Sequence, residues 1–395
     1  MRRRIVILGS NFAGYTAALE LKKHLGDQHE IVVISASSDF LFFPRRIWLP
    51  FVERKAADVT FPLAPIYEHK GVTFVHARVE QIDLDQRKVT HTLGVEAYDY
   101  LVIATGPQNH WEAVPGLGPQ GHTQSIFGLA DAERAGVAFE AFLQNPGPVV
   151  IGGVQGASCF GAAYEFLFNF AYQLKRRHIQ VPLTYLSAEP FLAHFGIGGF
   201  GNGTWMTELF FKREGITGVL NASVAEVRPG EIALQDGQVL PFSYAMLAPA
   251  FRGVPPVRAC TAITNAGGFV EVNDHYQTLR YPEVYACGVA VAVAPPGPTP
   301  VPCGVPKTGY LSEEMAKVVV HNIVADLHGT PMIRLPPGAI DAKCVLDAGN
   351  NGIIMTADHF LEPRSHAWLI PGPEAHWAKL AFEKYFLYTR SHGIA

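Results

Sequence analysis

At 395 residues, 48% hydrophobic and 17% charged, the chain is long enough to bury two cores and a small third, which places it among multidomain globular proteins. A formal net charge of −4 without any long run of Lys or Arg excludes nucleic acid as the main partner, and no apolar stretch of about 18 uncharged residues exists to span a membrane. Five cysteines at irregular spacing, none in a Cys-x-x-Cys pair, describe neither a structural disulfide framework nor a zinc site; no metal is expected, and a catalytic thiol pair remains open.

Met1-Arg2-Arg3-Arg4 is followed only by Ile5-Val6-Ile7-Leu8 before Gly9, which makes a first strand and not a signal peptide. Gly9-Ser10-Asn11-Phe12-Ala13-Gly14 is then the turn, Tyr15 to Leu25 the helix and Ile31 to Ile34 the second strand of a dinucleotide cradle. Asn11 stands where the middle glycine of G-x-G-x-x-G belongs; it tolerates unusual φ and offers a hydrogen bond to phosphate. Ser35, followed by Ala36, replaces the acidic residue that ordinarily holds the ribose hydroxyls, so adenosine recognition is weaker or comes from elsewhere. Pro44 and Arg45, in Phe42-Phe43-Pro44-Arg45-Arg46, bring the loop after the second strand against the ring of a bound cofactor.

Downstream, a strand from Tyr98 ends in Ala104-Thr105-Gly106, where glycine permits close approach to a cofactor. Another, Tyr281 to Ala286, runs into Cys287-Gly288-Val289, with Val289 where two-dinucleotide flavoproteins usually place Asp. These segments in this order point to FAD.

The middle of the chain repeats the unit with a damaged loop. After the strand Val149 to Ile151, Gly152-Gly153-Val154-Gln155-Gly156-Ala157 has Val154 and Ala157 for the second and third glycines, and a valine there crowds a pyrophosphate. In place of a nucleotide stands Cys159, at a helix N-terminus whose partial positive charge favours thiolate. Cys344 lies in Lys343-Cys344-Val345-Leu346-Asp347; if the two cysteines meet, they form a redox pair over one face of the cofactor.

Glu165 is a candidate proton carrier six residues past Cys159; at about 100° per residue the two point some 120° apart on an ideal helix, so the role requires Cys159 to sit in the turn. The alternative is a carboxylate capping a neighbouring loop. His194, before the glycine-rich stretch 196–203, either shuttles protons or satisfies loop carbonyls. Pro306 suits the first position of a helix running to about Leu327, which makes Lys307, Thr308 and Gly309 a positive terminus for the anion of a reduced flavin.

Gly156-Ala157-Ser158-Cys159-Phe160-Gly161, Tyr164-Glu165, Glu189-Pro190 with His194, Pro300-Val301-Pro302, Pro306-Lys307-Thr308-Gly309-Tyr310 and Phe382-Glu383-Lys384-Tyr385-Phe386 together resemble the sulfide:quinone oxidoreductase family, from the first strand to about residue 388. The resemblance implies an α/β chain of two Rossmann-like dinucleotide-binding domains in tandem with a small C-terminal membrane and quinone segment. The FAD domain comprises 1–112 and 246–330, the second domain, without a working NAD site, 113–245, and the C-terminal segment 331–395. It implies sulfide chemistry on the cysteines matching Cys159 and Cys344, linked by a disulfide or polysulfide bridge, and a quinone pocket on the other flavin face with Phe382, Val345 and Phe386 in its wall.

There are departures. Phe127 stands where relatives often have a third cysteine, leaving Cys287 and Cys303 as stand-ins, and Val345 replaces a frequent aromatic residue. The partners implied are sulfide, a membrane quinone and, through an amphipathic helix from about Glu374 to Tyr388 with Lys379 and Lys384 toward the headgroups, a membrane surface; a homo-oligomer remains open. The rival readings are the flavin subunit of a flavocytochrome c sulfide dehydrogenase, a type II NADH dehydrogenase, and a flavoprotein that binds sulfide without turnover.

Overall fold

The computed structural model describes residues 2–51 and 55–394. The first sheet begins with β1 (Arg4–Leu8), followed by α1 (Phe12–Leu25), β2 (Glu30–Ser35), β3 (Thr73–His76) and β4 (Tyr100–Ile103). Ile5 to Leu8, Ile31 to Ile34 and Leu101 to Ile103 are continuous apolar runs, and all are buried, as parallel strands covered on both faces must be.

The chain then builds a second parallel sheet. α2 (Leu129–Gln144) leads to β5 (Val149–Gly153), α3 (Phe160–Arg176), β6 (Leu183–Ser187), β7 (Ile216–Val219) and β8 (Tyr244–Ala248), in the spatial order β7-β6-β5-β8. After β8 the chain returns to the first sheet as β9 (Val284–Ala286), completing the order β9-β4-β1-β2-β3. The outgoing segment Pro107–Asn109 and the returning one Phe251–Gly253 pair antiparallel, so both crossings between the sheets run side by side.

α4 (Gly309–His328) packs on α1 over the first sheet. Its first helical residue is Gly309, and the Thr308 hydroxyl accepts from the Leu311 amide at 3.3 Å; this cap sets the start, so Pro306 lies outside the helix instead of at its first position. The C-terminal part is an antiparallel sheet of β10 (Ala342–Asp347), β11 (Gly352–Ala357) and β12 (Ala367–Pro371), closed by α5 (Pro373–Ser391). Among the described residues no helix is long and apolar enough to cross a membrane.

Candidate functional site

Glycine fixes the cradle at the carboxyl ends of β1, β4 and β9. Gly9 has φ 98°, and a Cβ there would lie 2.4 Å from the Ala104 carbonyl oxygen, so the turn is laid directly on the end of β4. A Cβ on Gly288 would meet that of Ala13 at 3.0 Å, and one on Gly309 would strike the Phe12 ring at 2.6 Å. Gly9, Phe12, Ala13, Gly14, Ala104, Gly288, Val289, Thr308 and Gly309 therefore converge. Thr105 and Gly106 follow β4, and a Cβ on Gly106, φ 68°, would meet nothing within 4 Å, which leaves open space beside the backbone. Two helix N-termini, three close-packed glycines and this open backbone fit a dinucleotide such as FAD.

Four expected cofactor contacts are otherwise engaged. Asn11 caps α1 by accepting from the Phe12 amide, and its Nδ2 donates one of its two hydrogens to the Leu41 carbonyl at 3.2 Å. Ser35 is turned inward, accepting from the Ser10 hydroxyl at 2.7 Å and from the Ser37 amide; the exposed Ala36 offers its carbonyl to His76. Arg45, one residue past Pro44, pairs with Glu383 of α5 and donates to the Asp58 carbonyl. Lys307 donates to the Val291 carbonyl at 2.7 Å and lies over the Phe269 ring at 4.3 Å; its burial lowers the pKa to about 8.

Cys159 is the N-cap of α3, with φ −109° and ψ 44°, and so sits in the turn as the Glu165 role requires. β10 lies along α3. A Cβ on Gly161 would be 3.8 Å from Leu346, the Asp347 amide donates to Glu165 at 2.8 Å, and Gly349 abuts Tyr172. The two elements thus run in the same direction. Cys344, two residues before Leu346, shares that residue's face of β10, the face turned to α3. Both thiols are free. Burial pushes each up to about 11, against the expected thiolate at Cys159; there Arg46, the Ser158 hydroxyl and Lys307 pull the other way.

Glu165 faces β10 and not the turn. It is paired with Lys379 of α5, burial pushes it up to about 7, and Cys344 feels its charge. Asp347 extends the network: its carboxylate takes Trp48 Nε1 at 3.0 Å and His376 Nδ1 at 2.6 Å, and Asn169 bonds the backbone carbonyls of both Glu165 and Asp347. Asp347, His376, Trp48 and Arg46 carry no local sequence signal for this role, and Lys379 was expected at the headgroups; a charged residue in otherwise apolar surroundings, Lys379 after Trp377-Ala378, was the available signal.

His194 accepts from the Gly196 amide at 3.1 Å and packs against the Phe191 ring, so its Nδ1 satisfies the loop. Cys287 is fully buried, its thiol pushed up to about 12, and Cys303 is buried with its sulfur 3.7 Å from the Val301 carbonyl; neither has the environment of a reactive thiol. Phe127 packs edge-on against Phe251.

The turn after β5 is filled by protein. Val154 is fully buried, the Gly156 amide donates to the Pro302 carbonyl at 2.6 Å, and the Gly304 amide donates to Ala157. Beyond β6, Glu189 is enclosed and accepts from Tyr164, Tyr185 and Ser187 hydroxyls and from the Phe195 amide. The amide and carboxylate that would meet a nucleotide are already bonded.

On α5, Lys379 and Glu383 are only 5% and 2% exposed, while Trp377, Tyr385 and Tyr388 are 64 to 68% exposed. Lys379 therefore points inward to Glu165 instead of toward headgroups; Lys384 stays outside. Phe382 is half-exposed. Phe386 is buried among Phe12, Phe40 and Phe42, whose rings enclose it at 4.9 to 5.8 Å. Val345 is partly buried in β10 opposite Ile354.

Residues 3–307 match the model of the pyridine nucleotide-disulphide oxidoreductase family. The chain is 36% identical to the sulfide-quinone reductase of Aquifex aeolicus, an alignment covering 100% of this chain and 92% of that protein. It is 26% identical over 379 residues to the NADH dehydrogenase-like protein Rv1812c of Mycobacterium tuberculosis, covering 89% of this chain and 87% of the other. Among solved structures, the sulfide:quinone oxidoreductase of Aquifex aeolicus superposes with a TM-score of 0.94 at 35% identity, covering 100% of this chain and 92% of that one. NDH2 from Plasmodium falciparum in complex with NADH superposes with a TM-score of 0.75 at 13% identity, 99% of this chain against 96% of that one, a likeness of fold alone.

Proposed function

The chain belongs to the pyridine nucleotide-disulphide oxidoreductases and, within them, to the FAD-dependent sulfide:quinone oxidoreductases, and from that premise we propose that it oxidises sulfide through a Cys159/Cys344 pair and reduces a membrane quinone. The observation that supports the cysteine reading is that β10, which carries Cys344, runs along α3, which Cys159 caps, with Glu165 beside the strand. The division into 1–112 with 246–330, 113–245 and 331–395 is part of this reading, supported by the paired crossings at Pro107–Asn109 and Phe251–Gly253.

When bound, FAD supplies a two-electron acceptor for the sulfur side and a donor for quinone. Hydrosulfide attacks the Cys159 sulfur of a Cys159–Cys344 disulfide; a new S–S bond forms on Cys159 and Cys344 leaves as a thiolate. Closing the bridge again through the added sulfur releases one proton and two electrons. Glu165, pushed up to about 7, has the proton affinity to take that proton near neutral pH, and Lys379 holds its carboxylate beside the strand. Repeated rounds lengthen the chain into polysulfide or zero-valent sulfur.

The quinone end is supported by a row of rings. Phe12 at the cradle packs on Phe386, which packs on Phe42 and Phe382, and Phe382 reaches the exposed aromatic face of α5. That face suits a peripheral membrane contact. The engaged turn at Gly156 and the enclosed Glu189 speak against the NADH dehydrogenase reading. The test is anaerobic: sulfide should bleach the flavin absorbance of the purified protein, and decylubiquinone should restore it. Flavin that sulfide leaves oxidised would end this reading.

A further inference from the structure

Phe43–Phe51 is a 3-10 segment wedged between α2 and α3. Phe51 packs on Phe139, Phe166 and Phe170, and Trp48 donates to Asp347 beneath the Lys379 ammonium. Followed backward, the segment climbs α3 from Phe170 toward its N-terminus and delivers Arg46 to the end that Cys159 caps.

Arg46 is unlike its neighbour. Arg45 is held by Glu383 and the Asp58 carbonyl. Among the described residues Arg46 makes no ion pair or hydrogen bond; its Nε is enclosed without a partner, and its guanidinium lies 4.2 Å over the Phe43 ring. Burial lowers its pKa to about 10, opposed first by Cys159 and then by Asp131 on α2. Asp131 is itself paired with Arg134, and Lys307, the other cation near Cys159, is tied to Val291. Glu165 and Lys379 pair with each other farther along α3. A partly enclosed guanidinium lacking an anion is costly, and so is a partly enclosed thiolate lacking a cation.

Building on the sulfide reading above, we propose that Arg46 is the anion-holding residue of the cysteine side, its guanidinium meeting the Cys159 thiolate and the hydrosulfide or persulfide anion that reacts there. The guanidinium and the amides at the start of α3 flank the same sulfur, so charge arriving with hydrosulfide meets positive groups from two elements.

The test uses the FAD-loaded protein with its thiols reduced anaerobically. Cys159 is alkylated with iodoacetamide from pH 6 to 10, and the modified peptide is counted by mass spectrometry. Arg46→Met and Arg46→Gln should slow Cys159 alkylation about tenfold at each pH of this range, which lies below the thiol's own midpoint, the equivalent of moving that midpoint upward by about one unit. Arg46→Lys should keep the rate near that of the parent, and Cys260 should alkylate identically in all four proteins. The KM for sulfide should rise about tenfold in the neutral variants with the KM for quinone unchanged. An unchanged alkylation rate in both neutral variants overturns the proposal, as does flavin loss from them with Cys159 unaffected, which would assign Arg46 to the cofactor. Were the parent itself unable to oxidise sulfide, the functional reading would fail while the alkylation rates would still decide the role of Arg46.

Discussion

Lys379 of the last helix closes an ion pair with Glu165 of α3, 214 residues earlier in the chain, and both are buried. This contact joins the C-terminal segment to the sulfur side of the site, so each depends on the other.

Removing the cation should expose that dependence. Lys379→Met leaves the Glu165 carboxylate enclosed without its partner and should destabilise the protein by about 3 to 5 kcal/mol. Adding Glu165→Gln should recover most of the loss. Urea unfolding of the two variants measures it; equal stability of single and double variants would mean that the pair carries no such weight.

Cys159→Ser and Cys344→Ser should each abolish sulfide-dependent quinone reduction, and the double variant should be no worse than either, because a bridge needs both ends. Cys260→Ser should be active, since its sulfur bonds the Ile82 and Pro256 carbonyls, away from Cys159 and Cys344 in the chain. Steady-state rates settle this, and a single variant retaining more than about half of the parent rate would remove the two-cysteine mechanism.

NADH and NADPH should not bleach the flavin at a rate comparable to sulfide. Pro302 holds the Gly156 amide, and four donors hold Glu189. Stopped-flow absorbance with each donor makes the comparison directly.

Stability should fall as pH rises toward neutrality, and Glu189 should account for part of the slope. Burial pushes its pKa from the usual 4.5 up to about 7, so between these values the folded state holds a proton that the unfolded state has lost. Folding is therefore favoured below about 4.5 by this group, and the contribution is lost as pH rises to about 7. Glu189→Gln should flatten the dependence of Tm on pH in that window; a parallel curve would show that the carboxylate is already ionised at its lower end.

Trp377→Ala with Tyr385→Ala should weaken co-sedimentation with liposomes, each aromatic contributing about 2 kcal/mol, and should leave flavin reduction by sulfide intact. Phe382→Ala should instead raise the KM for quinone without changing liposome binding. Undiminished sedimentation of the double variant would assign the exposed rings to some other surface.

The sequence was most informative where neighbours along the chain decide geometry. The strand, turn and helix around Gly9 and around Cys159 follow from local pattern, and the placement of Cys159 in the turn comes with them. Long-range pairing was hidden. Arg45 was read as a cofactor ligand because its partner, Glu383, lies 338 residues away on the last helix. For the same reason Lys379 was placed toward lipid. A helix with Trp377, Tyr385 and Tyr388 on one side reads as lying on a membrane with its lysines at the headgroups, and only the carboxylates waiting on the body, Glu165 and Asp347, draw Lys379 and His376 inward.

That inverted helix also sets its own register. Its inward members are His376, Lys379, Glu383 and Arg390, facing Asp347, Glu165, Arg45 and Glu313, at steps of three, four and seven that keep one face of an α-helix. An apolar seam tolerates sliding, since one leucine replaces another. Here a slip of four residues would bring Glu383 opposite Glu165, and a slip of seven would bring Arg390 opposite Arg45, like charge against like charge in an enclosed space. The ladder of charges thus acts as an index pin: it fixes Phe382 over Phe42 and decides which aromatic rings the helix shows to the outside.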